Sequence, residues 1–241
     1  MSDEEIKATS GSTPAQEDEN THFLVVGIGA SAGGITALKE FFSHVTADSG
    51  VAFVVILHLS PQYESNLAAV LQAESKVPVT QVTEAVKLEP NRVYVIPPTK
   101  YLEIDHGYIK LVEPERLRGG HTSIDLFFRS LADAYHKDAA AVILSGTGAD
   151  GTLGLRRVKE AGGFAIAQDP AEAEYDGMPR NAIDTGLVDL VLPVAEIPAR
   201  LRSLSEGAKR LIVHEQEVER TPEQMNFAQV LDILAVPART T

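Results

Sequence analysis

Three short stretches of this chain carry side chains suited to acyl-transfer chemistry. Gly29-Ala30-Ser31-Ala32-Gly33 fits the Gly-x-Ser-x-Gly pattern of a nucleophile elbow, with the serine on a sharp turn between strand and helix. Small neighbours let the chain reverse there. The reversal projects the hydroxyl at the carboxyl edge of a sheet and brings helix-start N–H groups to the same cavity. His58 ends the apolar run VAFVVILH and is the residue type that takes a proton from such a hydroxyl. Asp150 closes the Gly-rich turn Ser145-Gly146-Thr147-Gly148-Ala149-Asp150-Gly151 and can orient an imidazole. Each residue also has a plain alternative. Small-residue turns follow the first strand of many α/β folds, a histidine at a strand end often only satisfies hydrogen bonds, and Asp150 could cap the helix beginning at TLGLRRVKEAGG. Three strand-end loops that each deliver a complementary member of a triad form a stronger pattern than any one of them.

Two other chemistries compete for the same residues. Gly27-Ile28-Gly29-Ala30-Ser31-Ala32 also satisfies the Gly-x-Gly-x-x-Ala dinucleotide fingerprint, which needs a carboxylate at the end of the next strand to hold a ribose. That strand ends in His58-Leu59-Ser60-Pro61 and offers none. The seven histidines form no H-x-x-x-H or H-E-x-x-H pair, which leaves a zinc hydrolase little support. No cysteine is present, so the nucleophile carries oxygen or nitrogen. Neither cofactor nor metal is expected.

The elements that must position these residues follow from hydrophobic period. FLVVGI, a Gly-rich turn and ITALKEFFSHV read as strand, turn and helix, and AAAVILSG, GTGADG and TLGLRRVKEAGG repeat the arrangement. VAFVVILHL is a further strand, followed by a helix at ESNLAAVLQAES. Strands apolar on both faces and alternating with helices predict an α/β fold with a doubly wound, mostly parallel, Rossmann-like sheet and helices on both faces. RVYVIPP, YLEID and YIKLVEP alternate around His106-Gly107 and predict a β-hairpin insertion at one end of that sheet. SIDLFFRSLADAYHK reads as an amphipathic helix with Leu126, Phe127, Ser130, Leu131 and Ala134 along one face. FAIAQD and LVDLVLP are the last strands, and EIPARLRSLSE a closing helix.

Residues 1–22 are expected to be an acidic, disordered tail, 23–205 one catalytic domain, and 206–241 a tail or linker helix. With 241 residues, a second large domain would leave both undersized. The net charge of −13 opposes binding to nucleic acid, and no apolar run is long enough to span a bilayer. A cytoplasmic location without membrane insertion is the expectation. Glu172, Glu174 and Asp176 read most simply as a solvated acidic loop.

FLVVGIGASAGG, ILHLSP, RVYVIPP, SIDLFFRSLA, VILSGTGADGTLGLRRVKEAGG and AQDPAEAEYDGMPRNAIDTGLVDLVLP, in that order, resemble the catalytic domain of the chemotaxis protein-glutamate methylesterases from about Phe23 to Leu204. The resemblance implies a Ser-His-Asp triad of Ser31, His58 and Asp150. It implies hydrolysis of γ-glutamyl methyl esters on helical chemoreceptors, with deamidation of receptor glutamines as a second activity. Ala32, Gly33, Gly146, Thr147, Gly148 and Met178 would line the oxyanion and substrate site. Ala32 stands where the family commonly has threonine or serine, and Thr147 where it commonly has methionine. Residues 1–22 are too short and polar for the family's response-regulator module, so control by phosphorylation is not expected. The terminal MNFAQVLDILAVPARTT resembles the start of a receptor methyltransferase, to which some family members are fused; a methyltransferase domain or a response regulator are the partners this implies. The competing reading is a non-catalytic signalling scaffold of the same fold.

Overall fold

The structure, a computed structural model, describes residues 22–57, 66–98, 100–113 and 123–207. The acidic amino-terminal segment, His58 and the carboxy-terminal methyltransferase-like stretch lie outside the described residues.

Seven strands form one parallel sheet: β1 (Leu24–Ala30), β2 (Val51–Leu57), β3 (Val79–Gln81), β5 (Arg92–Val95), β8 (Ala139–Ile143), β9 (Phe164–Gln168) and β10 (Leu190–Leu192). Their order is β10-β9-β8-β1-β2-β5-β3. From β1 the chain winds one way through β2 and then returns to the other side through β8, so the switch point lies between β1 and β8, where open α/β sheets bind their ligands. β1, β2 and β8 are buried along their whole length, as expected of strands covered on both faces.

One face packs against α1 (Gly34–Ser43), α2 (Leu67–Gln72) and the closing helix over 197–207, around Val26, Ile28, Phe41, Phe42, Phe53 and Leu201. The other packs against α3 (Ser123–Tyr135) and α4 (Thr152–Glu160), around Val25, Ile124, Phe127, Phe128 and Leu155. β1 alternates valine or isoleucine with glycine for a reason visible here. A Cβ at Gly27 would stand 2.8 Å from the Phe128 ring, and one at Gly29 would stand 2.6 Å from Ile124. Helix α3 therefore approaches the strand more closely than any other side chain would permit.

Three expectations are corrected. The buried stripe of α3 is Ile124, Phe127, Phe128, Leu131 and Ala132, while Leu126 is half-buried and Ala134 exposed, because the buried face is turned by one residue from the expected one. RVYV is β5, a parallel strand between β2 and β3, and belongs to no hairpin. The hairpin is β6 (Tyr101–Asp105) with β7 (Tyr108–Val112), turning at His106 (φ 47°) and Gly107 (φ 77°). Together with β4 (Val86–Lys87) it forms a separate antiparallel sheet, tied to α3 by the Ile104 N–H donating to Ser130 Oγ, and does not extend an end of the main sheet. One more helix, α5 (Gly177–Asp184), precedes β10.

Candidate active site

β1 delivers Ser31 one residue past its carboxyl end, where the Ser31 N–H donates to Ser145 O (3.0 Å) and the Ser31 carbonyl accepts from Gly34 N (2.9 Å). The first bond pins the elbow to the loop after β8, and the second closes the turn into α1. Gly33 holds this turn at φ 70°, a left-handed conformation that costs a residue with a Cβ about 1 kcal/mol or more. A Cβ at Gly34 would stand 2.7 Å from Ala30 Cβ and 2.9 Å from Leu57. A Cβ at Gly33 would stand 2.6 Å from Ser145 Oγ, so both glycines of this turn are required by packing as well as by the turn. Ser31, Ala32 and Gly33 are all half-buried, open to the space above the sheet.

The loop after β8 is held from beneath by Ser145, 1% exposed. Its hydroxyl donates to Ala32 O (2.9 Å) and accepts from Tyr175 N (3.0 Å), while its N–H donates to Gln168 Oε1 (2.8 Å). One buried side chain thus joins the elbow, the loop after β8 and the loop before α5. Gly146 N–H donates to Tyr175 O (2.9 Å) and Gly146 O accepts from Met178 N (2.8 Å). The Gly146 amide is consumed by this bond and has no donor left for an oxyanion. Among the described residues, the amides of Ala32, Gly33, Thr147 and Gly148 donate to no protein acceptor. Thr147 and Gly148 are exposed at the rim, where Asn181 Nδ2 donates to Gly148 O (2.7 Å). Met178 is 1% exposed and packs under Gly146, as the floor beneath the loop.

Asp150 accepts from the backbone amides of Asp125 (Oδ1, 3.1 Å) and Ile124 (Oδ2, 3.4 Å), the first residues of α3. The helix it caps is α3, whereas α4, the helix that follows it in sequence, starts from Gly151. Asp125 in turn accepts from Gly154 N in α4 (2.7 Å), so each helix start is held by an acid from the other segment. The carboxylate remains half-buried at the same edge as Ser31. β2 and β1 are in register through Ala30 opposite Leu57, so the residue that follows each strand is Ser31 on one and His58 on the other. Glu174, in the acidic stretch after β9, lies against the elbow, its carboxylate 3.1 Å from where a Gly33 Cβ would stand. Glu172 and Glu174 are exposed, as the reading of that stretch as a solvated loop expects, and sequence reasoning gave the hydroxyl of Ser145 no role. Among the described residues no group of carboxylates and histidines is arranged to hold a metal ion.

The family model for CheB methylesterase matches residues 26–201. The chain belongs to the CheB methylesterase family. The protein-glutamate methylesterase/protein-glutamine glutaminase of the group 3 operon of Rhizobium meliloti is 35% identical over 184 residues, covering 76% of this chain and 52% of the relative. A second protein of that name from Anaeromyxobacter dehalogenans is 36% identical over 181 residues, covering 75% of this chain and 53% of its own. The CheB-family chain therefore spans about half the length of these curated relatives. Its fold matches the crystal structure of the Thermotoga maritima CheB methylesterase catalytic domain with a TM-score of 0.70 and 30% identity, over 76% of this chain and 98% of that one. The parallel sheet and its helices are thus those of a CheB catalytic domain. Among the described residues no helix is long and apolar enough to cross a membrane.

Proposed function

We propose that this CheB-family chain is a serine hydrolase that removes methyl groups from γ-glutamyl methyl esters of chemotaxis receptors, and that it deamidates receptor glutamines by the same route. The observation that carries the reading is the seating of Ser31. It stands on an elbow at the switch point, bonded through its own N–H to the loop after β8, with undonated amides on both sides. The names of the curated relatives supply the substrate class. His58 takes the Ser31 proton as Oγ attacks the ester carbonyl, and two of the amides at Ala32, Gly33, Thr147 and Gly148 receive the oxyanion. Collapse of the tetrahedral adduct breaks the carbon–methoxy bond, and methanol leaves with the proton from His58. Water then attacks the acyl-enzyme, His58 takes its proton, and Ser31 is released with the free glutamate. Asp150 accepts from the imidazole, fixing its tautomer and stabilising the imidazolium.

The experiment is fluorophosphonate labelling with mass mapping, beside methanol release from a methylated receptor fragment, in wild type, Ser31→Ala and His58→Ala. The expected result is a single adduct on Ser31, lost in Ser31→Ala and slowed by about a thousandfold or more in His58→Ala. Full turnover by Ser31→Ala would remove the nucleophile. Absence of both labelling and methanol release in the wild type would favour the scaffold reading.

A further inference from the structure

Of the three acids in the stretch after β9, two are engaged. Glu172 Oε1 accepts from Val194 N (2.5 Å), and Asp176 Oδ2 pairs with Arg180 (2.6 Å). Among the described residues Glu174 forms no hydrogen bond or ion pair. Its side chain nevertheless does not extend away from the protein. Its Cβ and its Oε2 lie 2.9 Å and 3.1 Å from the single point where a Gly33 Cβ would stand, so the side chain folds back along the elbow with its carboxylate against the turn. The backbone beneath it is fixed: the next residue, Tyr175, donates through its N–H to Ser145 Oγ (3.0 Å) and accepts at its carbonyl from Gly146 N (2.9 Å). With bonds of about 1.5 Å from Cα to its neighbours, Glu174 Oε2 stands within about 6 Å of the Gly33 amide nitrogen. An unneutralised carboxylate is thus held beside the amides of Ala32 and Gly33, and takes neither of them.

A negative charge beside an oxyanion site opposes catalysis only if the reacting cluster gains charge on the way to the tetrahedral adduct, and here it does not. The ester enters neutral. In the adduct the oxyanion is matched by the imidazolium of His58, so the two together remain neutral. Hydrolysis then leaves a carboxylic acid, which releases its proton to solvent because a glutamate side chain ionises above about pH 4. The product complex alone carries an added negative charge. We propose that Glu174 is a specificity-determining residue that sets the elbow against ionised side chains. It admits the neutral ester or amide, expels the acid that hydrolysis leaves, and keeps glutamates that carry no methyl group from occupying the site. The proposal rests on the esterase reading for the identity of the neutral and charged forms. At about 6 Å and near-aqueous screening, repulsion between two unit charges amounts to about three- to tenfold in affinity, a modest factor in keeping with the exposure of Glu174.

The test is a charge series at one position in the full chain: Glu174, Glu174→Gln and Glu174→Lys, each also combined with Ser31→Ala so that binding is read without turnover. The probe is a fluorescein-labelled receptor fragment in its methyl-ester form and in its free-acid form, followed by anisotropy near neutral pH. Charges elsewhere on the fragment are common to both forms and cancel in the ratio of the two Kd values. The ratio of acid Kd to ester Kd is expected to fall about three- to tenfold in Glu174→Gln and by a similar factor again in Glu174→Lys, while the ester Kd moves less than about twofold. At about 1 M salt, where the screening length is about 3 Å, the three ratios should converge. In the chains that keep Ser31, the free-acid fragment should inhibit methanol release more strongly in the same order. Equal ratios across the series, or acid and ester affinities that shift together, would overturn the charge selection; methanol release by the wild type would leave the esterase reading standing beside that result. Ratios that follow the charge, with no methanol release by any chain that keeps Ser31, would sink the esterase reading and leave the selection against the ionised form in place.

Discussion

Replacing Gly146 by alanine should separate stability from nucleophile placement. A Cβ at this position would drive into Met178 Sδ and stand 3.0 Å from both Met178 Cγ and Ser31 Cβ, a few tenths of an ångström inside ordinary contact. Met178 is enclosed, so the strain cannot be released into solvent, and overpacking of this kind costs about 1–3 kcal/mol. Met178→Ala alone leaves a cavity and should cost about 2–5 kcal/mol. In the double variant the new methyl occupies part of the space the methionine vacates. The two costs should then fall short of additive by about 1–2 kcal/mol. The clash with Ser31 survives in the double variant, because Met178 plays no part in it. Urea denaturation reads the first effect and the rate of fluorophosphonate labelling reads the second. Labelling should drop about 10- to 100-fold in Gly146→Ala and stay depressed in the double variant. Additive stabilities within about 0.5 kcal/mol, or full recovery of labelling in the double variant, would refute the packing argument.

Asp150→Ala should lower stability by about 0.5–2 kcal/mol through the lost α3 cap, besides removing activity, while Ser31→Ala leaves the denaturation midpoint near wild type; equal midpoints for the two variants would contradict the capping role. Burial, reinforced by the Tyr94 hydroxyl, pushes the Tyr135 phenol up to about 12. The unfolded chain ionises this group near pH 10, so the folded state holds its proton longer and the unfolding free energy falls as pH rises from about 10 to 12, with no contribution below pH 10. Tyr135→Phe should remove about 1 kcal/mol of that decline, allowing for partial exposure, and an unchanged pH profile would exclude Tyr135 as its source.

Strand β1 with its turn and α1, and β8 with its turn and α4, were legible because continuous apolar runs broken by glycine clusters have few other solutions. The hairpin at His106-Gly107 was legible from its alternation, but its partner was not. A four-residue apolar run such as Arg92–Val95 satisfies a hairpin and a parallel strand equally, and only the flanking β2 and β3 decide between them. Helix α5 was hidden by Pro179, which reads as a breaker yet lies in the first turn, where its missing N–H is not required. At the site, strand ends placed Ser31 and Asp150 from sequence alone. The target of Asp150 was unreadable, because local logic looks for a cap on the following helix and the amides it meets belong to residues 25 and 26 positions earlier. Ser145 was invisible for the same reason: nothing about a serine after a strand reveals that its hydroxyl will be buried between two loops from distant parts of the chain.

That strut has a consequence for how the protein is made. Ser145 Oγ and the Ala32 carbonyl are 113 positions apart, and β8, the strand that leads into Ser145, is also one of the two neighbours of β1. At roughly 5–20 residues per second of synthesis, the elbow serine emerges from the ribosome some 5–25 s before the segment that secures it. During that interval β1 has an unpaired edge and the turn at Ser31 lacks its anchor. A nascent chain therefore presents Ser31 long before its turn is anchored, and the elbow takes its final geometry only when the second half of the sheet docks.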